Sequence, residues 1–278
     1  MLTDETYARM LPAVPLTVEG ASVLHQMMRV RWSDWNAQPA DKRRDIADEA
    51  AVALSGMEAS GEAHSALYSL MGHKGDLLLL HLRKDFQALH EAELTLRRLP
   101  LWEYLEPATS YLSVVELSLY ESTAKVYSDL HEKGVAAHSE EWNREIEEVL
   151  KRQRTAMAPR LWPEIPSSKY LCFYPMDRKR DSAANWYRAS MSERQRMMRE
   201  HGLIGRRYGD EVRQIISGSI GFDDWEWGVD LFGDDPLAFK RLIYEMRFDE
   251  ASALYAAFGP FYIGLRRTAA ELDALLNG

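Results

Sequence analysis

Two stretches of the chain share the same order of apolar runs and turns. Residues 77–117 read LLLLHLRKDFQALHEAELTLRRLPLWEYLEPATSYLSVVEL, and residues 226–266 read EWGVDLFGDDPLAFKRLIYEMRFDEASALYAAFGPFYIGLR. Each stretch starts with an apolar run typical of a strand, continues with helical periodicity and ends in a second strand-like run. The same succession of elements in both places indicates an internal repeat.

The elements around residues 77–117 complete the first copy of this repeat. A strand is predicted over Ser22–Trp32 and a helix over Asp41–Gly56, which ends in glycine, a common helix stop. Residues 63–83 place two apolar runs around the turn-forming GHKGD, and this pattern predicts a hairpin. A helix over Asp85–Leu105 and a strand over Tyr111–Tyr120 then give the order βαββαβ.

The second copy follows the same order. A strand is predicted over Lys169–Met176, then a helix that ends near His201, then two strands within residues 211–232. A helix over Pro236–Phe248 and a strand over Gly259–Arg266 complete it. The order βαββαβ is that of the ferredoxin-like fold.

We therefore predict an α+β fold in which two ferredoxin-like βαββαβ repeats form a dimeric α+β barrel within one chain. Residues 1–120 make the N-terminal half, with an extended arm over residues 1–20, and residues 121–167 make a charged, helical connector. Residues 168–278 make the C-terminal half, which carries the candidate site. Each half leaves one sheet face bare, so the two bare faces should enclose a barrel-like interior, where we expect a large flat ligand. A final helix over residues 268–276 should pack outside.

Composition excludes several classes of protein. The net charge of −9 argues against a nucleic-acid-binding surface, because such partners require an excess of Lys and Arg. The single cysteine, Cys172, excludes an internal disulfide and a cysteine-based metal site, and fits a reducing compartment. The N-terminus lacks the pattern of a signal peptide, and no apolar run is long enough to span a membrane. We expect a cytoplasmic protein without a membrane span.

His201 is the candidate metal ligand of the C-terminal half. Residues 192–209 read SERQRMMREHGLIGRRYG, and Ser192 with Gln195 has the form of a capping box, while Gly202 is a common helix stop. His201 would then lie on the last turn, on one face with Met197 and Met198. A single histidine on such a face is more often a core or surface residue than a ligand. The histidines of the first half lack the spacing of a metal site, and we interpret them as structural or surface residues.

Residues 170–264 carry a more specific signal. They contain YLCFYPMDRKR, then NWYRASMSERQRMMREHGLIGRRYGDEVRQIISG, then FKRLIYEMRFDEASALYAAFGPFYIG. This succession resembles the coproheme decarboxylases, which are chlorite dismutase-like haem enzymes. The match runs almost without gaps from Tyr170 to Gly264, whereas the first half matches more loosely, chiefly at YLSVVELSLY, and the connector is longer than is usual in the family.

The resemblance implies a substrate that is also the cofactor, iron coproporphyrin III (coproheme), with haem b as the product. In the family, hydrogen peroxide oxidises the iron, and an adjacent tyrosyl radical passes the oxidising equivalent to propionates, which lose carbon dioxide and become vinyl groups. The residue that matches this tyrosine is Tyr174. A phenol suits the task because it can lose an electron and a proton together. Without the resemblance, a packing role for Tyr174 would be the commoner one.

Further site residues carry over from the resemblance by position. His201 matches the ligand that binds the iron from the proximal side. Gln214 lies where a distal glutamine is found, whereas the chlorite-decomposing relatives have an arginine there, a cation that holds the hypochlorite leaving group better than an amide does. The positions that match propionate contacts or the pocket edge are Arg160, Met176, Ser252 and Tyr120.

Arg178 departs from the family pattern, since several members have a lysine four residues after the tyrosine. Arginine keeps the positive charge and can bind a propionate, but it gives up a proton far less readily. The alternative for Asp177–Arg180 is a solvated surface turn.

Two other functions stay open at the level of sequence: chlorite decomposition, and haem binding or trafficking without chemistry. The resemblance further implies a homopentamer, with coproheme and hydrogen peroxide as its small-molecule partners and a transient contact with ferrochelatase as a further expectation.

Overall fold

The structure is a computed structural model that describes residues 11–58 and 63–278. Residues 1–10 of the predicted arm lie outside the described residues. Among the described residues, the N-terminal half contains four strands and three α-helices: β1 (Thr17–Val30), α1 (Trp32–Asn36), α2 (Ala40–Glu58), β2 (His64–Met71), β3 (Leu77–Arg83), α3 (Phe86–Arg97) and β4 (Leu105–Ser118). The predicted helix over Asp85–Leu105 is shorter than expected. It gives way to a 3-10 turn over Pro100–Tyr104, since Pro100 lacks the backbone N–H that an α-helix needs.

The connector and the C-terminal half contain the remaining elements: α4 (Tyr120–Glu132), α5 (Glu140–Ala156), α6 (Ala158–Leu161), β5 (Tyr170–Arg178), α7 (Met191–Arg207), β6 (Arg213–Gly218), β7 (Trp227–Gly233), α8 (Pro236–Met246), α9 (Glu250–Tyr255), β8 (Ala256–Phe258), β9 (Tyr262–Arg267) and α10 (Leu272–Asn277). Tyr120 starts a helix instead of ending a strand. The short α9 and β8, which the sequence did not predict, lie between α8 and the last strand.

The strands form one closed sheet. In the N-terminal half the order is β4-β1-β3-β2, and in the C-terminal half it is β6-β7-β5-β9, so both halves have the ferredoxin-like order. Antiparallel pairing of β2 with β9 and of β4 with β6 joins the halves at both edges. The predicted α+β fold with two ferredoxin-like repeats is confirmed, and the halves close the barrel through backbone hydrogen bonds as well as through packing.

The barrel interior is filled by side chains. Tyr68, Phe173 and Phe232 are fully or almost fully buried there, together with leucines of β3. His25 of β1 and Asp230 of β7 meet in the same interior, with Nε2 and Oδ1 2.8 Å apart and both side chains fully buried. The expectation that this interior holds a large flat ligand is therefore wrong, because two inward-facing rows of large residues occupy the space.

Helices cover the outer face of each half. On the N-terminal half, leucines of β2, β3 and α3 pack with α2 and with the final helix α10 into one apolar cluster. Trp35 Nε1 donates a hydrogen bond to the Leu276 carbonyl oxygen at 2.9 Å and so fixes α10 in place. Within the described residues, no helix is both long enough and apolar enough to cross a membrane.

Helix α7 differs from its predicted form at both ends. Its capping box is formed by Ser190 and Glu193, two residues earlier than the predicted pair of Ser192 and Gln195. The helix also continues through Gly202 to Arg207, because Ile204 packs into the apolar layer beneath it and Arg206 and Arg207 lie favourably at the negative end of the helix dipole. His201 consequently lies inside the helix and not on its last turn.

Candidate functional site

His201 is held by a carboxylate from the neighbouring short helix. Its Nδ1 lies 3.0 Å from Asp249 Oδ2, and the side chains of His201 and Asp249 are 26% and 3% exposed. Asp249 caps the N-terminus of α9, where its Oδ1 accepts from the Ser252 backbone N–H at 3.0 Å, and its Oδ2 accepts from Ser252 Oγ at 3.0 Å. The carboxylate is therefore fixed before it meets the imidazole.

The electrostatics of this pair favour an ionised carboxylate. Burial works to raise the pKa of Asp249, but the hydrogen bonds and charge of His201 and the hydrogen bonds of Ser252 outweigh it and hold the pKa below its usual value. His201 meets Asp249 through Nδ1, and no hydrogen bond engages its Nε2 within residues 11–58 and 63–278, so Nε2 is the nitrogen left for a metal. A carboxylate that orients an imidazole through its second nitrogen is the usual support of a metal-binding histidine.

His201 would be a solitary protein ligand. In the part of the chain that the structure describes, no group of three or more His, Cys, Asp or Glu side chains could hold a bare metal ion. A metal bound at His201 would therefore have to bring its other ligands with it, as a porphyrin iron does.

Tyr174 lies on the outer face of β5, on the side opposite to the barrel interior. Its ring stacks on Phe261 at a centroid distance of 4.6 Å and lies 5.8 Å from Phe258. Burial raises the pKa of the Tyr174 phenol far above its ordinary value, and the cations of Arg247 and Arg178 act in the opposite direction. The phenol is therefore neutral and desolvated, with two guanidinium groups near enough to act on it.

An apolar layer surrounds Tyr174 between the sheet and its helices. Met176 of β5 and Ile204 of α7 belong to this layer, so Tyr174 and the His201 helix are parts of one packed region. A cleft of about 380 Å³ runs beside α8, shares Phe261 and Ile243 with this layer and is also lined by Arg247.

Arg178 is a buried cation. Its guanidinium donates to the Ala251 carbonyl oxygen at 3.2 Å and lies 3.4 Å from Met198 Sδ and 4.4 Å from the Trp186 ring. Burial lowers the pKa of Arg178. The surface-turn alternative is wrong for Arg178, and no carboxylate of the described chain forms an ion pair with its guanidinium. A buried guanidinium without an ion-pair partner is a suitable host for an anionic group.

Tyr120 lies in the same region, at the start of α4. It packs against Trp186 and Met197, and burial raises the pKa of its phenol, while Arg194 and Arg178 act to lower it. Tyr120, Arg178 and Asp249 thus lie around the segment of α7 from Met197 to His201.

The structure places the other predicted residues at varying positions relative to His201. Gln214 is exposed on β6, facing α7, where a Cβ built on Gly205 would lie 3.4 Å from its Nε2. Ser252 is buried, and its hydroxyl bonds to Asp249. Arg160 is exposed on α6, with Met157 Sδ 4.0 Å from its guanidinium, and the structure does not bring it to the His201 group.

Sequence reasoning missed two residues of this candidate site. Asp249 lies 48 positions after His201 and was assigned to no role. Its signal is weak but present, because Asp249 precedes Glu250 and Ser252 in a form typical of a helix N-terminus. Glu226, which accepts from the Arg178 backbone N–H at 2.8 Å, was likewise assigned no role.

Comparison with known proteins identifies the family of the chain. The model of the chlorite dismutase family matches residues 43–267, and the protein belongs to that family. Among curated proteins, the coproheme decarboxylase of Staphylococcus saprophyticus subsp. saprophyticus is 39% identical over 260 residues, which are 91% of this chain and 94% of that protein.

Solved structures give the same result. A haem-binding protein from Thermus thermophilus is 38% identical and superimposes with a TM-score of 0.81, over 96% of this chain and 99% of that one. The chlorite dismutase of Candidatus Nitrospira defluvii in complex with imidazole has a TM-score of 0.68 over 93% of this chain and 95% of that one. At 16% identity, this second likeness shows the fold alone.

Proposed function

We propose that the protein catalyses the hydrogen peroxide-dependent oxidative decarboxylation of coproheme to haem b, as a step of haem synthesis. The observation that supports this most is the pairing of His201 with Asp249 on the same face of the C-terminal half as Tyr174 and Arg178. The particular reaction is proposed from the coproheme decarboxylase that is 39% identical over most of the chain.

The residues present fit an iron porphyrin. His201 would hold the iron through Nε2, because its Nδ1 is already anchored by Asp249. Arg178 and Tyr120 offer a buried cation and a hydroxyl to a propionate, and Met176 offers apolar contact. Gln214 would face the opposite side of the ring from His201. Roles for Ser252 and Arg160 at the propionates are part of the same proposal, although Ser252 Oγ first serves Asp249.

The chemistry requires a one-electron relay beside the substrate. Iron coproporphyrin III, when bound, supplies the metal that reacts with peroxide. A propionate –CH2–CH2–COO⁻ becomes –CH=CH2 by releasing carbon dioxide, a proton and two electrons, and one hydrogen peroxide accepts the electrons to give water. Tyr174 would pass these electrons one at a time, since its phenol is neutral and close to two cations that can hold a carboxylate. Burial of Tyr174 keeps water from the reactive group.

The activity is tested by mixing the protein with ferric coproheme and hydrogen peroxide and following the porphyrin by mass spectrometry. We expect two successive losses, each of one carbon dioxide and two hydrogens, that end at haem b. Absence of conversion in the unmodified protein overturns the proposal. Oxygen evolution from added chlorite would instead favour chlorite decomposition, which the amide of Gln214 disfavours. Stable binding of haem b in preference to coproheme would favour trafficking.

Replacement of Tyr174 separates the relay from binding. We expect Tyr174→Phe to bind coproheme with unchanged affinity and to form almost no haem b, because phenylalanine keeps the packing on Phe261 but cannot lose a proton and an electron together. The matched control is Tyr170→Phe, on the same strand and in the same apolar layer. Equal turnover of the two variants would show that the relay lies elsewhere.

The assembly belongs to the same proposal. We propose a homopentamer and a transient contact with ferrochelatase for delivery of coproheme, on the basis of the family resemblance. Light scattering of the purified protein tests the first, and a mixing experiment with coproheme-loaded ferrochelatase tests the second. A monomer, or delivery no faster than from solution, would contradict them.

A further inference from the structure

A second phenol near the site is paired with a base. Tyr187 donates its hydroxyl hydrogen bond to Glu226 Oε2 at 2.8 Å. Glu226 is only 7% exposed, and its Oε2 also accepts from the Arg178 backbone N–H at 2.8 Å, while its Oε1 lies 3.5 Å from Arg180 Nε. Burial and the hydrogen bond to Glu226 both raise the pKa of Tyr187, so the phenol stays neutral. The carboxylate is held in place to receive its proton.

Tyr174 has no such partner. No hydrogen bond to the Tyr174 hydroxyl is present within the described residues, and its ring is enclosed by Phe258 and Phe261. Because a neutral phenol is far easier to oxidise when its proton can leave at the same moment, a carboxylate in hydrogen-bond contact lowers the free energy of the oxidised state. The oxidised form of Tyr187 is therefore more stable than that of Tyr174.

Arg178 lies near both phenols, and an aromatic residue packs against its guanidinium. Trp186 precedes Tyr187 in the chain and is 4% exposed, and its ring lies under the Arg178 guanidinium at 4.4 Å. Arg178 in turn is near enough to Tyr174 to act on its phenol, and it contacts Met198, one turn before His201 on α7. Tyr187 itself is 43% exposed, so the sequence Tyr174, Trp186, Tyr187 leads from the buried layer to the surface.

We propose that Tyr187 and Glu226 form a second, proton-coupled redox site, which takes up the oxidising equivalent through Trp186 when no propionate is in position to use it. The proposal rests on the proposed function, in which hydrogen peroxide is the oxidant. Such a site would protect the buried layer around Tyr174 and His201 from oxidation when peroxide is in excess.

The transfer balances in electrons and protons. Trp186 gives one electron to oxidised Tyr174, which takes one proton from solvent water, forms a new O–H bond and becomes a phenol again. Tyr187 then gives one electron to oxidised Trp186, while its O–H bond breaks and its proton forms a new O–H bond on Glu226 Oε2. The Arg178 cation over the Trp186 ring disfavours positive charge on the indole, so the oxidising equivalent moves on to Tyr187.

The test compares Tyr187→Phe and Glu226→Gln with a matched control, Tyr208→Phe. Tyr208 also donates to a carboxylate, Glu245 Oε2 at 2.9 Å, but lies at the end of α7 and has no part in the proposed route. The coproheme-loaded proteins are mixed with excess peroxide, frozen and examined by electron paramagnetic resonance with ring-deuterated tyrosine. We expect a persistent tyrosyl radical in the unmodified protein and in Tyr208→Phe, and its loss in Tyr187→Phe and Glu226→Gln.

A second measurement separates this proposal from the proposed function. Azide radicals oxidise tryptophan in the protein without porphyrin, and the subsequent transfer from indole to phenol is followed by transient absorption. We expect the yield of phenoxyl radical to be lower in Tyr187→Phe than in Tyr208→Phe. This result does not depend on whether the loaded protein decarboxylates coproheme. Equal radical yields and spectra in Tyr187→Phe and the unmodified protein, or equal losses in Tyr187→Phe and Tyr208→Phe, overturn the proposal.

Discussion

The two halves have the same strand order, but their outer faces carry different side chains. On the N-terminal half, β2 and β3 present Leu67, Leu77 and Leu79 to α2, α3 and α10, and the face is a closed apolar core. On the C-terminal half, β5 presents Tyr174 and Arg178 to the side of α7, the helix that carries His201. One copy of the repeat thus uses this face for stability, and we propose that the other uses it for chemistry.

The difference shows where function can be found in a duplicated fold. A hydroxyl, a guanidinium and an imidazole are costly to bury without partners, and leucines at the corresponding face of the first half show that the fold does not need them. The C-terminal half supports its polar groups individually, with Asp249 at His201 and the Ala251 carbonyl at Arg178. Groups that are expensive to bury and carefully supported are candidates for ligand binding.

Among the substitutions that separate the two faces, removal of His201 is expected to have the largest effect on porphyrin binding. His201→Ala should weaken ferric coproheme binding by more than the about 10–100-fold that loss of a supporting residue costs. The free energy of unfolding without porphyrin should change little, since the side chain is partly exposed. Porphyrin titration and urea unfolding measure the two effects. His90→Ala, an exposed histidine of the N-terminal half, is the control, and equal binding by both variants would contradict the assignment.

Removal of a leucine from the N-terminal face should affect stability alone. Leu79→Ala is expected to lower the free energy of unfolding by about 2–5 kcal/mol, because Leu79 is buried and the cavity cannot collapse fully. Porphyrin affinity should stay unchanged. Leu231→Ala, at a buried position of the C-terminal layer, should reduce both quantities. If Leu79→Ala weakens porphyrin binding as much as Leu231→Ala does, the two faces are not functionally distinct.

Removal of the charge behind His201 should weaken the iron bond without unfolding the site. Asp249→Asn keeps a good N-cap for α9 but replaces an ionised acceptor with a neutral one. We expect affinity for ferric coproheme to fall by about 10–100-fold, while affinity for metal-free coproporphyrin III changes little. Parallel fluorescence and absorbance titrations measure both. An equal loss for both porphyrins would show that Asp249 only shapes the pocket.

The free energy of unfolding should depend slightly on pH through a carboxyl group at the β4–β6 junction between the halves. Glu116 of β4 lies against Gly218 of β6, and burial together with the charge of Glu19 raises its pKa to about 6. Since the folded pKa lies above the unfolded one, the protonated form stabilises the fold below the unfolded pKa, and this contribution is lost as the pH rises through 6.

Replacement of Glu116 should remove this dependence. After allowance for solvent screening we expect about 1 kcal/mol of stability to be lost between pH 4.5 and 7 in the unmodified protein and not in Glu116→Gln. Urea unfolding at the two pH values measures the difference. Glu106→Gln, at an exposed position of the same strand, is the control and should keep the dependence.

Much of the fold could be predicted because its determinants are local. Apolar runs, helical periodicity and the GHKGD turn predicted the two βαββαβ copies, and the position of Gly202 after His201 gave the only serious error in α7. That error arose because a glycine stops a helix only when nothing beyond it gains by continuing, and Ile204 gains by packing beneath the helix. The filled barrel interior was not predicted, because the space left inside the barrel depends on how side chains of strands distant in sequence pack together.

The site could be predicted only where the resemblance named residues. Tyr174 and His201 carried over by position, whereas Asp249 and Glu226 became visible only when the structure placed them beside His201 and Arg178. Partners that lie about fifty positions apart have no spacing rule, since they meet through tertiary packing. Arg160 shows the reverse case, because a position that matches the family lies apart from the other site residues in this structure.

The central claim is that coproheme binds on the outer face of the C-terminal half, and a crystal structure of the protein with ferric coproheme tests it most directly. The account predicts iron bonded to His201 Nε2, with the Asp249 carboxylate still on Nδ1 and the Tyr174 hydroxyl facing a propionate. Iron bonded to any other residue, or a porphyrin seated on the leucine-filled face of the N-terminal half, would contradict it.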